Sequence, residues 1–137
     1  MEGTVVERSY RAMFLVGSLW NLAGGVAIIA LTGWLFRRQG LEPPDPSAYY
    51  YSWIALFMTF GLGYVMIWRN MYENRNLVLL GAIGKLAFAA IFTAAMLGDP
   101  GKIPDLFWIP VVGDVVFAGL YLSFLRHART APRASAM

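Results

Sequence analysis

Four long stretches, two without charge and two with a single one, leave this chain few ways to fold. The first runs from Met13 to Phe36 with no charged residue, and the second from Tyr51 to Trp68, also uncharged. The third, Leu77 to Leu97, contains only Lys85, and the fourth, Leu106 to Leu125, only Asp114. A helix rises about 1.5 Å per residue, so some 20 apolar residues cross the roughly 30 Å hydrocarbon core of a bilayer. The pattern predicts an all-α membrane protein, a single domain over 1–137, built as an antiparallel up-down-up-down bundle of four transmembrane helices.

Composition agrees. Hydrophobic residues make up 58% of the 137, against about 45 to 50% in soluble domains, and a soluble fold this small has too little interior to hide them. Charged residues are only 14% and gather between the apolar runs. There is no cysteine and one histidine, His127, so thiol chemistry and a paired-histidine metal or haem site are excluded. No cofactor and no metal are expected. The net charge of +3 comes mostly from arginines beside apolar runs, which suits anionic lipid headgroups and speaks against nucleic acid.

The boundaries carry their own signals. The first run ends in Trp34, Leu35 and Phe36 rather than in small residues, so it is a retained helix and not a cleaved signal peptide. Pro43, Pro44 and Pro46 break the chain before the second run, because proline lacks an amide donor and restricts the residue before it. Tyr49, Tyr50, Tyr51 and Trp53 open that run and Trp68 closes it, the aromatic belt of a membrane boundary. The turn "RNMYENRN" and the loop "GDPGKIPD" separate the remaining runs, Pro110 falls in the first turns of the last, and residues 126–137 read as a flexible polar tail.

Arginine and lysine in short loops resist translocation and so orient the bundle. Arg8, Arg11, Arg69, Arg75, Arg126, Arg129 and Arg133 fall on one side, and Arg37, Arg38 and Lys102 on the other with four acids. The termini are therefore expected in the cytoplasm and the protein in a bacterial inner membrane.

Counted from the cytoplasmic ends at about 1.5 Å per residue, Lys85 and Thr59 lie about 13 Å deep, Asn21 about 15 Å and Asp114 about 18 Å. Each predicted helix thus brings one polar group to a single layer, with Tyr64 and Tyr121 extending it towards the cytoplasmic face. Pro110, Asp114, Phe117 and Tyr121 follow one helical face. Isolated charges at mid-membrane cost roughly 2.5 to 3.5 kcal/mol each on insertion scales, so Lys85 and Asp114 are expected to pair. Three readings follow: a structural ion pair that fixes register, a pair lining a polar cavity that binds a small molecule or relays a proton, or a lysine that snorkels to the surface and never meets the aspartate. Gly24, Gly25, Gly61, Gly63, Gly81, Gly84, Gly113 and Ala118 surround the layer, as close helix packing requires.

The segments "LLGAIGKLAFA" and "VVGDVVFAGLYLSFLR", with the early "NLAGG", resemble the small four-helix bacterial membrane proteins grouped as DoxX-like. The resemblance covers about a third of the chain. It implies a compact bundle, sometimes beside redox or sulfur enzymes, and transfers no catalytic residue.

No phosphate-binding loop, metal-binding helix or nucleophile elbow occurs, which argues against an enzyme. The leading expectation is a non-enzymatic binder of a small lipophilic ligand such as a lipid, quinone or sterol-like molecule. Its pocket is formed by Lys85, Asp114, Asn21, Thr59, Tyr64 and Tyr121. A structural or assembly subunit of a larger membrane complex and a proton-coupled transporter acting as a homo-oligomer are the alternatives.

Overall fold

The computed structural model of the chain describes residues 4–130. These are all-helical: α1 Val5–Arg37, α2 Ser47–Arg69, α3 Arg75–Gly98 and α4 Trp108–Thr130, with one 3₁₀ turn, Asp105–Phe107, leading into α4. Each of the four is long and apolar enough to cross a membrane.

The helices overrun the apolar stretches because turn chemistry, not hydropathy, stops them. Thr4 and Glu7 form a capping box that starts α1, Thr4 Oγ1 accepting from the Glu7 amide and Glu7 Oε2 from the Thr4 amide; together they satisfy two donors that a helix start leaves without partners. At the other end the Leu41 amide reaches back to the Phe36 carbonyl while Gly40 turns left-handed at φ 70°, a conformation that a side chain would oppose. Helix α2 begins directly after Pro46. Pro110 lies in the first turn of α4, where the missing amide has little to lose.

The end of α4 changes the reading of the tail. Helix α4 continues to Thr130, so Arg126 to Thr130 are not part of a flexible tail. Apolar residues thin out after Leu125, but α1 extends equally far and supplies a partner. Tyr10 hydrogen-bonds Ser123 and lies 5.3 Å from the His127 ring, and Ala128 is buried. Residues 131–137, including Arg133, lie outside the described residues.

Packing is uneven. Helix α1 lies along α2, and α3 along α4, over long interfaces, whereas α2 meets α3 and α1 meets α4 more narrowly. The molecule is thus two pairs of helices set against each other. Asn21 touches Phe57 and Thr32 touches Tyr50 in the first pair; Lys85 meets Asp114 and Phe92 meets Phe107 in the second.

Two apolar clusters fill the ends of the bundle. Phe14, Tyr64, Ile67, Met71, Val78, Tyr121 and Phe124 occupy the end nearer the termini. Leu35, Phe36, Tyr50, Ile54, Met96 and Phe107 occupy the other. Outside, large apolar side chains stand free: Leu56 is 63% exposed, Ile91 67% and Leu97 68%.

Tyr72 in the α2–α3 turn donates to Glu7 Oε1 of α1 at 3.0 Å. Burial, and then the carboxylate beside it, hold the Tyr72 phenol above its ordinary pKa. The neutral phenol is what the fold favours, so this contribution is intact below about pH 10 and is lost as pH rises through the raised value. Tyr72→Phe is expected to cost about 0.5–1.5 kcal/mol at neutral pH and to shrink the drop in melting temperature between pH 8 and pH 11. Thermal melts in detergent at the two pH values measure both; a mutant that loses as much as the wild type on alkalinisation contradicts the assignment.

Candidate functional site

The two apolar clusters leave a polar layer between them, and three of the four expected residues meet there. Lys85 Nζ donates to Asp114 Oδ1 at 2.6 Å and to Asn21 Oδ1 at 3.0 Å. The Asn21 amide nitrogen in turn donates to the Phe57 carbonyl at 2.7 Å. One line of hydrogen bonds therefore crosses all four helices, from Asp114 in α4 through Lys85 in α3 and Asn21 in α1 to the backbone of α2. Lys85 is 3% exposed and Asp114 and Asn21 1% each, so Lys85 pairs inside the bundle and does not snorkel. The orientation of the Asn21 amide follows from its neighbours, since only its oxygen can accept from the ammonium and only its nitrogen can donate to the carbonyl.

Aromatic rings complete the shell. Lys85 Nζ lies 5.3 Å from the Phe117 ring centroid, 5.4 Å from Tyr64 and 5.8 Å from Phe57. Ring faces attract a cation at such distances, so the ammonium is held by a carboxylate, an amide and three π systems. Glycines make this approach possible. A Cβ at Gly61 would stand 3.0 Å from that of Asn21, and one at Gly81 2.7 Å from the Tyr64 ring. Gly17 likewise receives the Tyr121 hydroxyl, Gly25 the Met58 side chain and Gly113 the Trp20 indole, each in space a Cβ would occupy. Gly63 sits against Leu77 at 3.3 Å, and Ala118 is fully buried, while Gly24 and Gly84 keep room for a methyl group.

Thr59 does not join the layer. It is exposed, and its hydroxyl bonds the Ala55 carbonyl of its own helix at 2.9 Å. Depth along α2 placed it correctly, but its direction around the helix axis points it outward, and the backbone carbonyl one turn back satisfies its only donor. Thr59→Val is expected to leave stability within about 0.5 kcal/mol of wild type, as a melting curve will show.

Tyr64 and Tyr121 are buried against each other with ring centroids 5.1 Å apart, but they do not extend the layer to water. Phe14 and Phe124 pack over Tyr121, and Ile67, Met71 and Val78 fill the same cluster. The long aromatic side chains of α1 and α4 close that end. The Tyr121 hydroxyl and the Trp20 indole N–H are buried without a hydrogen-bond partner among the described residues, the latter beside the Asp114 carboxylate.

Phe57 and Trp20 escape sequence reasoning. The Phe57 carbonyl is a backbone group that no residue type announces, and its ring is one phenylalanine among many until its position over the ammonium separates it from packing. Phe117, which helical spacing puts on the face of Asp114, does reach the site, 5.3 Å from the ammonium. Trp20, adjacent to Asn21 and seated on Gly113, reads from sequence as plain packing.

The trio faces a crevice of about 170 Å³ between α2 and α3, walled by Trp53, Phe57, Phe60, Tyr64, Lys85 and Phe88 among others. Of the three Lys85 N–H groups, two are engaged within the protein, leaving one for an acceptor. Among the described residues no cluster of acids and histidines able to hold a metal occurs. What the arrangement offers chemically is a charged donor set in an aromatic cleft. Comparison of the chain with protein-family models, with curated proteins and with solved structures found no match in any of the three.

Proposed function

We propose that this chain is a non-enzymatic, four-span membrane protein that binds a small lipophilic molecule carrying a hydrogen-bond acceptor, its polar head in the α2–α3 crevice against Lys85. The observation that carries this reading is the buried ammonium at the wall of an aromatic cleft, with one N–H left over. A cavity of about 150 Å³ accommodates a benzene ring, so 170 Å³ suits one substituted six-membered ring, such as a quinone or phenolic head, with its tail passing between α2 and α3 into lipid.

In this reading the helices run up-down-up-down and antiparallel, which the opposite run of contact numbers supports: Asn21 with Phe57 but Thr32 with Tyr50, Lys85 with Asp114 but Phe92 with Phe107. The apolar outer surface is solvated by acyl chains, the membrane is a bacterial inner membrane, and both termini lie in the cytoplasm, a reading that the arginine-rich ends support. A DoxX-like kinship belongs to the same proposal.

Trp53 lines the crevice and reports on it. A short-tailed benzoquinone titrated into protein in lipid nanodiscs is expected to quench tryptophan fluorescence saturably, with most of the saturable part lost in Trp53→Phe. Gly84→Leu, which places a side chain in the crevice beside Phe60 and leaves both charges in the chain, is expected to weaken the apparent affinity at least tenfold. Quenching that is linear in quinone, or equal in wild type and Gly84→Leu, removes this function.

A further inference from the structure

A second concavity lies on the opposite side of the bundle, where α1 and α4 diverge. It measures about 440 Å³ and is lined by carbon along its length, from Trp20 and Phe57 at its inner end through Ala27 and Leu31 to Trp34 and Leu106 at its mouth. Trp20, seated on Gly113, closes the inner end. From Trp20 to Trp34 the groove follows fourteen residues of α1, about 21 Å at helical rise. That is about two thirds of a hydrocarbon core about 30 Å thick, so the groove spans one leaflet and reaches past the midplane.

Length and charge together select the occupant. An apolar groove running along α1 accommodates an extended hydrocarbon chain, and arginines at its mouth complement an anionic headgroup rather than another apolar helix. The mouth is basic where the groove opens. Arg38 lies 4.9 Å over the Trp34 ring, Arg37 folds back along Gly33, and neither is ion-paired among the described residues. The loops at this end carry four acids against Arg37, Arg38 and Lys102, with Lys102 paired to Asp99 at 3.2 Å. Any attraction for an anion is therefore local to the two arginines and not a property of the whole face.

We infer that the α1–α4 groove holds one acyl chain of an anionic phospholipid from the leaflet at the carboxyl end of α1, its phosphate resting on Arg38 and Arg37. This site is separate from the quinone-type crevice and stands or falls independently of it. The lipid covers helix surface that no protein element covers and joins the two helix pairs along their narrower seam.

The test is native mass spectrometry of protein released from nanodiscs of phosphatidylglycerol and phosphatidylcholine in equal parts. The wild type is expected to retain one phosphatidylglycerol per chain in preference to phosphatidylcholine. Arg38→Ala is expected to lower that preference roughly fivefold, the weight of one arginine near a membrane surface, and Arg38→Lys to keep most of it. Ala27→Phe, which fills the groove while leaving the headgroup contacts, is expected to abolish retention of either lipid. Equal retention of the two lipids by wild type, undiminished retention in Ala27→Phe, or a stable dimer in place of bound lipid overturns the inference.

Discussion

Asp114→Asn is expected to destabilise the folded bundle by about 3–5 kcal/mol, the cost of stranding a buried charge whose partner has been removed. The ammonium of Lys85 would keep Asn21 and three rings around it but no compensating charge, at 3% exposure. The companion variant separates structure from function. Lys85→Met with Asp114→Leu removes both charges and keeps roughly the same volume, and replacing a whole buried pair by apolar side chains is often neutral or stabilising. Its melting temperature in detergent is therefore expected to return close to that of wild type, while the saturable benzoquinone quenching disappears. A single mutant as stable as wild type would mean that the pair holds nothing together. A double mutant that still binds the quinone would mean that the polar trio is scaffold alone.

The second large effect is steric. Gly17→Val and Gly81→Val each put a branched side chain where a tyrosine already sits, Tyr121 in the first case and Tyr64 in the second. Overpacking a close-packed interior costs about 1–3 kcal/mol, and because the two rings pack on each other the double mutant is expected to lose less than the two single losses added together. Gly119 is the internal control. A Cβ there meets nothing within 4 Å, so Gly119→Ala is expected to gain about 0.5–1 kcal/mol from the lower backbone entropy of alanine in a helix. Melting curves of the four variants in one detergent check the order. Equal effects at Gly17 and Gly119 would contradict the packing described.

Depth was legible before direction. The positions of Lys85, Asp114 and Asn21 along their helices predict their meeting, because rise per residue converts sequence distance into height. Thr59 shows the limit of that conversion: it has the right height and faces away, its hydroxyl satisfied within its own helix. Tyr64 and Tyr121 show another. Their heights alone suggest a path to water, yet side chains from neighbouring helices cover them. Gly25, Gly61, Gly63, Gly81 and Gly113 were legible as close contacts, but not which residue each one receives, nor that Gly24 and Gly84 keep room and Gly17 does not. Arg126 to Thr130 were misread for a related reason, since they stay helical against α1, a partner that local hydropathy cannot reveal.

What the sequence by itself determined is the set of four apolar helices, their order and the presence of two opposite charges that no membrane-sized helix could leave alone. Helical periodicity and the high cost of an unpaired charge in hydrocarbon are local or pairwise effects, and they can be read from composition and spacing. The tertiary structure alone decided that Asn21 completes the pair, that three rings surround the ammonium, and that the two helix pairs part to form a crevice on one side and a groove on the other. Those features depend on how each helix is rotated about its axis. That rotation is set by the summed contacts of many side chains on several helices at once, and no single segment encodes it.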